Sequence, residues 1–112
     1  MSWIAVGSLV ACAGVAAGAF GAHGLKAMLS AARLETFEVA VRYQMYHGIA
    51  LILAGMLGAD RAAWCFLLGV LVFSGSLYLL VLTESRWLGA ITPIGGLLLL
   101  TGWAFLAFGY KR

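Results

Sequence analysis

The fold is decided first by residues 3–22, WIAVGSLVACAGVAAGAFGA, a stretch that contains no charged side chain. A helix needs about 20 apolar residues to cross roughly 30 Å of hydrocarbon, and this stretch has that length. Met1–Gly7 holds no Lys or Arg, and the apolar run is longer than the roughly 7–15 residues of a signal-peptide core. We therefore expect a retained membrane-spanning helix.

Small residues recur along this stretch at alternating spacings of four and three. Residues three and four apart share one helix face, so a single stripe is formed by Gly7, Ala11, Gly14, Gly18 and Gly21. In a membrane, small residues let two helix backbones approach closely, and packing then drives their association. We predict that this stripe is the main packing face of the first helix; a groove for a lipid or ligand is the alternative.

The rest of the chain has the same apolar character. Of its 112 residues, 64% are hydrophobic and 10% are charged, whereas soluble domains carry roughly 25% charged residues. Aromatic residues favour the membrane interface, and Trp87 and Tyr110 flank the last apolar stretch. The sequence predicts an all-α membrane protein: a bundle of four transmembrane helices forming a single integral membrane domain, residues 1–112, with spans at about 3–22, 39–59, 64–82 and 88–109.

The second span differs from the others because its apolar run is short. Met45–Ala59 contains only 15 residues, too few to cross the membrane. Extending the helix back to Val39 gives sufficient length but includes Arg42, Gln44 and His47. Either this helix carries ionisable groups into the membrane, or it crosses a locally thinned region.

The residues before this span contain no Gly or Pro between Ala31 and Tyr46, so a helix could run unbroken from about Ser30 to Leu57. Its front part mixes apolar and charged residues, which suits the plane of the interface. We predict an interfacial helical segment before the second span. Glu38 and Arg42, four residues apart with the acid first, are predicted to form an ion pair.

The third and fourth spans each have a polar centre. Ser74-Gly75-Ser76 lies in the middle of the third span, and Thr92-Pro93 lies near the start of the fourth. Pro93 lacks a backbone donor and should kink or start its helix. The hydroxyls are expected to bond to helical carbonyls or to a neighbouring helix; a discontinuous helix that lines a substrate site is the alternative.

Polar side chains inside membrane spans are costly and indicate a functional site by default. The candidate polar or lipid/ligand site consists of His23, Glu38, Arg42, Tyr43, Gln44, His47, Ser74, Ser76 and Thr92. We hypothesise that it opens at a membrane end shared by His23 and His47, with His47 as the titrating group and Arg42 attracting a lipid phosphate. The alternative is a structural role, in which these side chains satisfy one another and the helix ends.

Patterns that carry catalysis are missing from the sequence. G-x-S-x-G, P-loop, G-x-G-x-x-G and H-E-x-x-H motifs are absent, and two histidines without a third His or a nearby Cys do not make a metal site. We expect a non-enzymatic structural, accessory or oligomeric membrane component without metal or cofactor. Its expected partners are the lipid bilayer and a second copy or another membrane protein. The alternative is a small transporter or channel with a polar site around His23, Arg42 and His47.

The net charge of +3 does not indicate nucleic-acid binding, because no basic cluster exceeds the pair Lys111-Arg112. Across four spans, three Lys or Arg residues fall on the side of the termini (Arg61, Lys111, Arg112) and four on the other (Lys26, Arg33, Arg42, Arg86). This balance does not decide orientation by the excess of positive charge in cytoplasmic loops; we expect cytoplasmic termini.

Four ordered motifs resemble a known family. They are Gly18-Ala19-Phe20-Gly21-Ala22-His23, Arg42-Tyr43-Gln44-Met45-Tyr46-His47, Phe73-Ser74-Gly75-Ser76-Leu77-Tyr78, and Ile91-Thr92-Pro93-Ile94-Gly95-Gly96 followed by Gly102-Trp103. In order and spacing they resemble the bacterial domain-of-unknown-function-423 family, which is related to transmembrane protein 256 of animals. The resemblance covers nearly the whole chain. It implies a multi-pass protein of the bacterial inner (plasma) membrane and no particular activity.

Overall fold

The computed structural model describes residues 2–109, which form four long helices. The helices are α1 (Trp3–Phe20), α2 (Ala31–Leu57), α3 (Asp60–Thr83) and α4 (Leu88–Gly109), and a π-helical turn, Gly21–Leu25, continues α1. Tyr110, predicted as an interfacial anchor, and the Lys111-Arg112 pair lie outside the described residues.

Three stretches are long and apolar enough to cross a membrane: Trp3–Leu25, α3 and α4. The longest helix, α2, has 27 residues but is not among these candidates. Its polar middle, which contains Arg42, Gln44 and His47, lowers its hydropathy. The fold is therefore all-helical, with three apolar helices and one long helix of mixed character.

The ends of α2 follow from local sequence. Ser30 is its N-cap, and the Ser30 hydroxyl accepts a hydrogen bond from the backbone N–H of Arg33 at 3.2 Å. Serine is favoured at this position because its oxygen satisfies one of the free N–H groups of the first turn. Gly58 ends the helix at φ 69°, a left-handed conformation that glycine adopts without steric cost. The predicted unbroken helix from about Ser30 to Leu57 is confirmed.

The front of α2 packs against α3, and the interfacial segment predicted there from sequence is not confirmed. Phe37 is buried, and its ring lies 5.3 Å from the ring of Tyr78 on α3. The Arg33 guanidinium donates a hydrogen bond to the carbonyl of Val81 at the end of α3. Leu34, Phe37 and Val41 are spaced as one helix face, and that face packs on Leu25, Val81 and their neighbours. The apolar stripe thus packs against α3 and the turn after α1.

Small residues bring α1 and α2 together. A Cβ atom built on Gly7 would lie 2.9 Å from the backbone nitrogen of Ile52, and one on Gly14 would lie 2.6 Å from the sulfur of Met45. Towards the end of α1, Gly18 faces Val41 and Gly21 faces the Phe37 ring, whereas Ala11 lies against Gly48. The predicted stripe therefore lies against α2 within the same chain, and these contacts fix the antiparallel register of the two helices.

Small residues also allow α3 and α4 to pack closely together. A Cβ atom on Gly69 would lie 2.6 Å from a methyl carbon of Leu99, and one on Gly102 would lie 2.6 Å from the Phe66 ring. Phe66 is fully buried at the centre of the main core. Pro93 lies inside α4, which begins earlier, at Leu88, so the proline does not start this helix.

The helices are arranged in chain order. The extensive contacts join α1 to α2, α2 to α3 and α3 to α4, whereas within residues 2–109 no comparable contact joins α1 to α4. The result is a bundle of 47 × 26 × 20 Å, elongated along the helices, with open clefts along its sides. It is in these clefts and between the helices that the polar residues lie.

Candidate functional site

His47 is buried near the middle of α2 and both of its ring nitrogens are occupied. Its Nδ1 lies 2.8 Å from the carbonyl oxygen of Tyr43, and the indole N–H of Trp103 on α4 donates to Nε2 at 3.0 Å. A carbonyl can only accept and an indole N–H can only donate. The imidazole is therefore neutral, with its proton on Nδ1, and it links α2 to α4.

Aromatic rings surround this link. The Tyr43 ring is stacked against His47 at 6.2 Å, and the Phe66 and Trp103 rings lie at 5.6 and 5.8 Å. Beside it is a cleft of about 530 Å³ between α2 and α4, whose other lining residues include Phe73 and Leu100. An imidazole with both nitrogens bonded and apolar walls around it has no free lone pair for a metal or a substrate.

Gln44 joins three helices. Its side-chain nitrogen donates to the carbonyl of Val10 on α1 at 2.9 Å, and its side-chain oxygen accepts a hydrogen bond from the hydroxyl of Tyr78 on α3. Ser74 adds a second link between α2 and α3, because its hydroxyl donates to the carbonyl of Ala40 at 2.7 Å. Gln44, Ser74 and Tyr78 also line a mainly apolar cleft of about 390 Å³ between α1 and α3.

Ser76 and Thr92 form a separate pair between α3 and α4. Their hydroxyl oxygens are 2.5 Å apart. Each hydroxyl also lies within hydrogen-bond distance of a carbonyl of its own helix, Phe73 for Ser76 and Leu88 for Thr92. The expected bonding to helical carbonyls and to a neighbouring helix is found here.

Glu38 and Arg42 are exposed on the other side of α2, beside a cleft of about 290 Å³ between the end of α1 and α2. The predicted ion pair between them is wrong: within residues 2–109, the ion pair within 4.0 Å joins Arg33 to Glu84, at 3.8 Å. Exposed pairs four residues apart are worth only about 0.2–0.5 kcal/mol, which does not compel the two side chains to meet.

The structure does not place His23 and His47 at the same end of the helices, contrary to the sequence prediction. His23 is exposed in the π-helical turn, and the neighbouring Gly21 lies opposite Phe37 on α2. His47 is ten residues further along α2, a distance of about 15 Å at 1.5 Å per residue. The sequence prediction counted depth from the start of the span at Val39, although the helix was predicted from about Ser30, and His47 lies near the middle of that helix.

The nine predicted residues therefore do not form one site. They divide into a His47–Tyr43 group facing α4, a Gln44–Ser74 group facing α1 and α3, the Ser76–Thr92 pair, the exposed Glu38 and Arg42, and the isolated His23. Tyr43 and His47 lie on the face of α2 opposite Glu38 and line a different cleft. In the part of the chain that the structure describes, no group of three or more His, Cys, Asp or Glu residues could hold a metal ion.

Two further polar links were not predicted. Trp103 donates a hydrogen bond to His47. The sequence identifies Trp103 as part of the Gly102-Trp103 motif but does not indicate its partner. The indole N–H of Trp3 on α1 donates to the carboxylate of Asp60 on α3 at 3.0 Å. No local spacing in the sequence identifies partners that lie 56 or 57 residues away.

Comparison with known proteins places the chain among membrane proteins. Residues 17–96 match the family described as a protein of unknown function, DUF423. A UPF0382 membrane protein of Staphylococcus haemolyticus is 50% identical over 110 residues, covering 93% of this chain and 90% of the relative. One of Staphylococcus saprophyticus is 46% identical over 113 residues, covering 96% and 94%. No solved structure matches. The chain belongs to the DUF423 family of membrane proteins, as its four motifs predicted.

Proposed function

We propose that this protein is a non-enzymatic, multi-pass component of the bacterial inner (plasma) membrane that acts as a structural, accessory or oligomeric unit. All four helices cross the bilayer in this proposal, including α2. With 27 residues, α2 is about 40 Å long at 1.5 Å per residue, more than the roughly 30 Å of the hydrocarbon. Its register against α1, from Gly48 beside Gly7 to Phe37 beside Gly21, supports the same depth for both helices.

The non-enzymatic role rests on one observation: the buried polar side chains are used to join helices. Among residues 2–109, the buried polar residues are His47, Ser74 and Ser76, and each has a hydrogen-bond partner on another helix. Over residues 2–109, the buried side-chain polar atom without a partner is Nε of Arg33; the guanidinium lines a cleft of about 240 Å³, where its other nitrogens bind the carbonyl of Val81 and the carboxylate of Glu84. A catalytic group needs a free proton or lone pair directed at a substrate.

A complementation experiment tests this proposal. Variants of His47, Gln44 and Ser74 are expressed in a strain that lacks the gene, and the membrane abundance of each variant is compared with growth and dye permeability. A structural role predicts that both phenotypes follow the abundance of folded protein. A variant that is as abundant and as stable as the wild type but does not restore the strain would contradict it.

The topology is tested separately by single-cysteine labelling in a variant in which Cys12 and Cys65 are replaced by Ala. Cysteines at Glu35 and at Met56 lie at opposite ends of α2. If α2 spans the membrane, a membrane-impermeant maleimide labels these two positions from opposite sides. Labelling of both positions from one side would contradict a fourth span.

A small transporter or channel is the second candidate, and one feature favours it. Clefts open on two sides of α2, one containing Gln44 and the other His47. A rearrangement of the Gln44 and His47 links would connect them. Proton or solute flux in liposomes tests this candidate: flux per folded protein that is lost in Gln44→Leu and His47→Phe supports it, and wild-type flux equal to that of empty liposomes excludes it.

A further inference from the structure

The cleft beside Glu38 and Arg42 has a distinct composition. One wall is the end of α1 and the π-helical turn, where the residues are small, and the other wall is α2. Its lining residues are Gly18, Gly21, Ala22, Phe37, Glu38, Val41 and Arg42. The cleft exists because α1 has almost no side-chain volume on this face, so that the two charged residues of α2 border an open space of about 290 Å³.

The two charges are available to a ligand. Glu38 and Arg42 are both exposed, and among the described residues neither side chain has a hydrogen bond or an ion pair within 4.0 Å. The neighbouring charge on α2 that does have a partner, Arg33, is bound to Glu84 and to the carbonyl of Val81. The cleft therefore presents one cation and one anion that do not neutralise each other.

The depth of the cleft matches the membrane boundary if α2 spans the bilayer as proposed above. The apolar run of α1 ends at Ala22, and Gly21 lies opposite Phe37, so Glu38 is close to that end. Arg42 is four residues deeper, about 6 Å. Arginine keeps its stem in apolar surroundings and extends its charged end towards the interface. Both charged ends thus lie where phospholipid headgroups meet the hydrocarbon.

We propose that this cleft binds the headgroup of a zwitterionic phospholipid that carries a primary ammonium, of the phosphoethanolamine class. Arg42 contacts the phosphate, for which the planar guanidinium is well suited. Glu38 accepts hydrogen bonds from the ammonium, which a quaternary choline headgroup cannot donate. The exposed cation and anion favour such a headgroup over an apolar helix of a second copy, which would leave both charges unpaired.

The test measures which lipids the purified protein retains from mixed micelles that contain equal amounts of phosphatidylethanolamine, phosphatidylcholine and phosphatidylglycerol, using native mass spectrometry. The wild type should retain phosphatidylethanolamine over phosphatidylcholine. Arg42→Gln should lower retention about tenfold, because a charged hydrogen bond is lost, whereas Arg42→Lys should retain part of it. Glu38→Gln should remove the preference for ethanolamine over choline and leave phosphate binding in place.

Two matched variants serve as controls. Glu35→Gln removes an exposed acid one turn earlier on α2, outside the cleft, and Arg61→Gln removes an exposed cation at the other end of the molecule. Neither should change lipid retention. Addition of inorganic phosphate or soluble phosphoethanolamine should not displace the lipid; displacement by either one at millimolar concentration would show that the site serves a soluble phosphate and would overturn the lipid proposal.

Three other results would overturn it. The first is equal retention of ethanolamine and choline lipids by the wild type, and the second is an unchanged preference in Glu38→Gln. The third is conversion of a wild-type dimer into a monomer by Arg42→Gln or Glu38→Gln without a change in bound lipid, which would place a second copy on this face. Cysteine labelling of α2 is independent of lipid retention. A failure of the proposed topology is therefore distinguishable from a failure of the lipid site.

Discussion

His47 and Arg42 lie five residues apart on α2, yet the two sides of this helix use polarity differently. On the inner side, His47 and Gln44 have bonded partners on α1, α3 and α4. On the outer side, Glu38 and Arg42 are exposed and unbonded within residues 2–109. A polar group in an apolar medium is costly unless it is hydrogen-bonded. The comparison indicates that the inner side holds the helices together and that the outer side is available to the membrane.

The largest loss of stability is expected when the small-residue face of α1, which packs against α2, is disrupted. Gly7→Leu should reduce the free energy of unfolding by about 3 kcal/mol or more, above the usual range for overpacking, because even a Cβ atom meets the backbone of Ile52 at 2.9 Å. Gly18→Leu should be milder, since its nearest neighbour is the Val41 side chain at 3.3 Å. Unfolding in detergent measures both.

Gly75→Leu is the control for this pair, because nothing lies within 4 Å of a Cβ atom at Gly75. It should leave stability close to that of the wild type. If Gly7→Leu were no more destabilising than Gly75→Leu, the close α1–α2 contact would be contradicted.

The next largest loss of stability is expected at Gln44, which links three helices. Gln44→Leu removes the bonds to Val10 and Tyr78 and should destabilise the protein by about 1–2 kcal/mol, because two partners lose their hydrogen bonds. Adding Tyr78→Phe to Gln44→Leu should cost less than Tyr78→Phe costs in the wild type, since the hydroxyl has already lost its acceptor. Additive losses in this double-mutant cycle would show that the two side chains do not interact.

A smaller effect is expected at the link between α2 and α4. Trp103→Phe keeps an aromatic ring but removes the N–H donor to His47. Hydrogen bonds between membrane helices contribute about 0.6 kcal/mol on average, with a maximum near 1.7, so we expect a loss in this range in the same unfolding assay. Trp87→Phe, at an exposed tryptophan outside the helix contacts, is the matched control and should have no comparable effect.

The smallest change in stability is expected at the charged residues on the outer side of α2. Glu38→Gln and Arg42→Gln should each change the free energy of unfolding by no more than about 0.5 kcal/mol, as is usual for exposed positions. A loss above about 1 kcal/mol for either variant would show that the outer charges also support the fold, and the contrast between the two sides of α2 would be lost.

Sequence predicted the helical class, the long unbroken α2 and the small-residue face of α1, because length, apolar content and spacing are local properties. It could not predict which polar residues meet. The depth of His47 was wrong because it was counted from the span at Val39 and not from the start of the helix at Ala31. The partner of His47, Trp103, is 56 residues away and becomes a neighbour only through the packing of α4 beside α3.

The most direct test of the inner link is the tautomer of His47, measured by ¹⁵N NMR of the labelled protein near pH 8, where an imidazole with an ordinary pKa of about 6.5 is neutral. We predict a proton on Nδ1, an unprotonated Nε2 that accepts a hydrogen bond, and a change in the Nε2 shift when Trp103 is replaced by Phe. A proton on Nε2, or an Nε2 shift that does not respond to Trp103→Phe, would contradict the role of His47 as a link between helices.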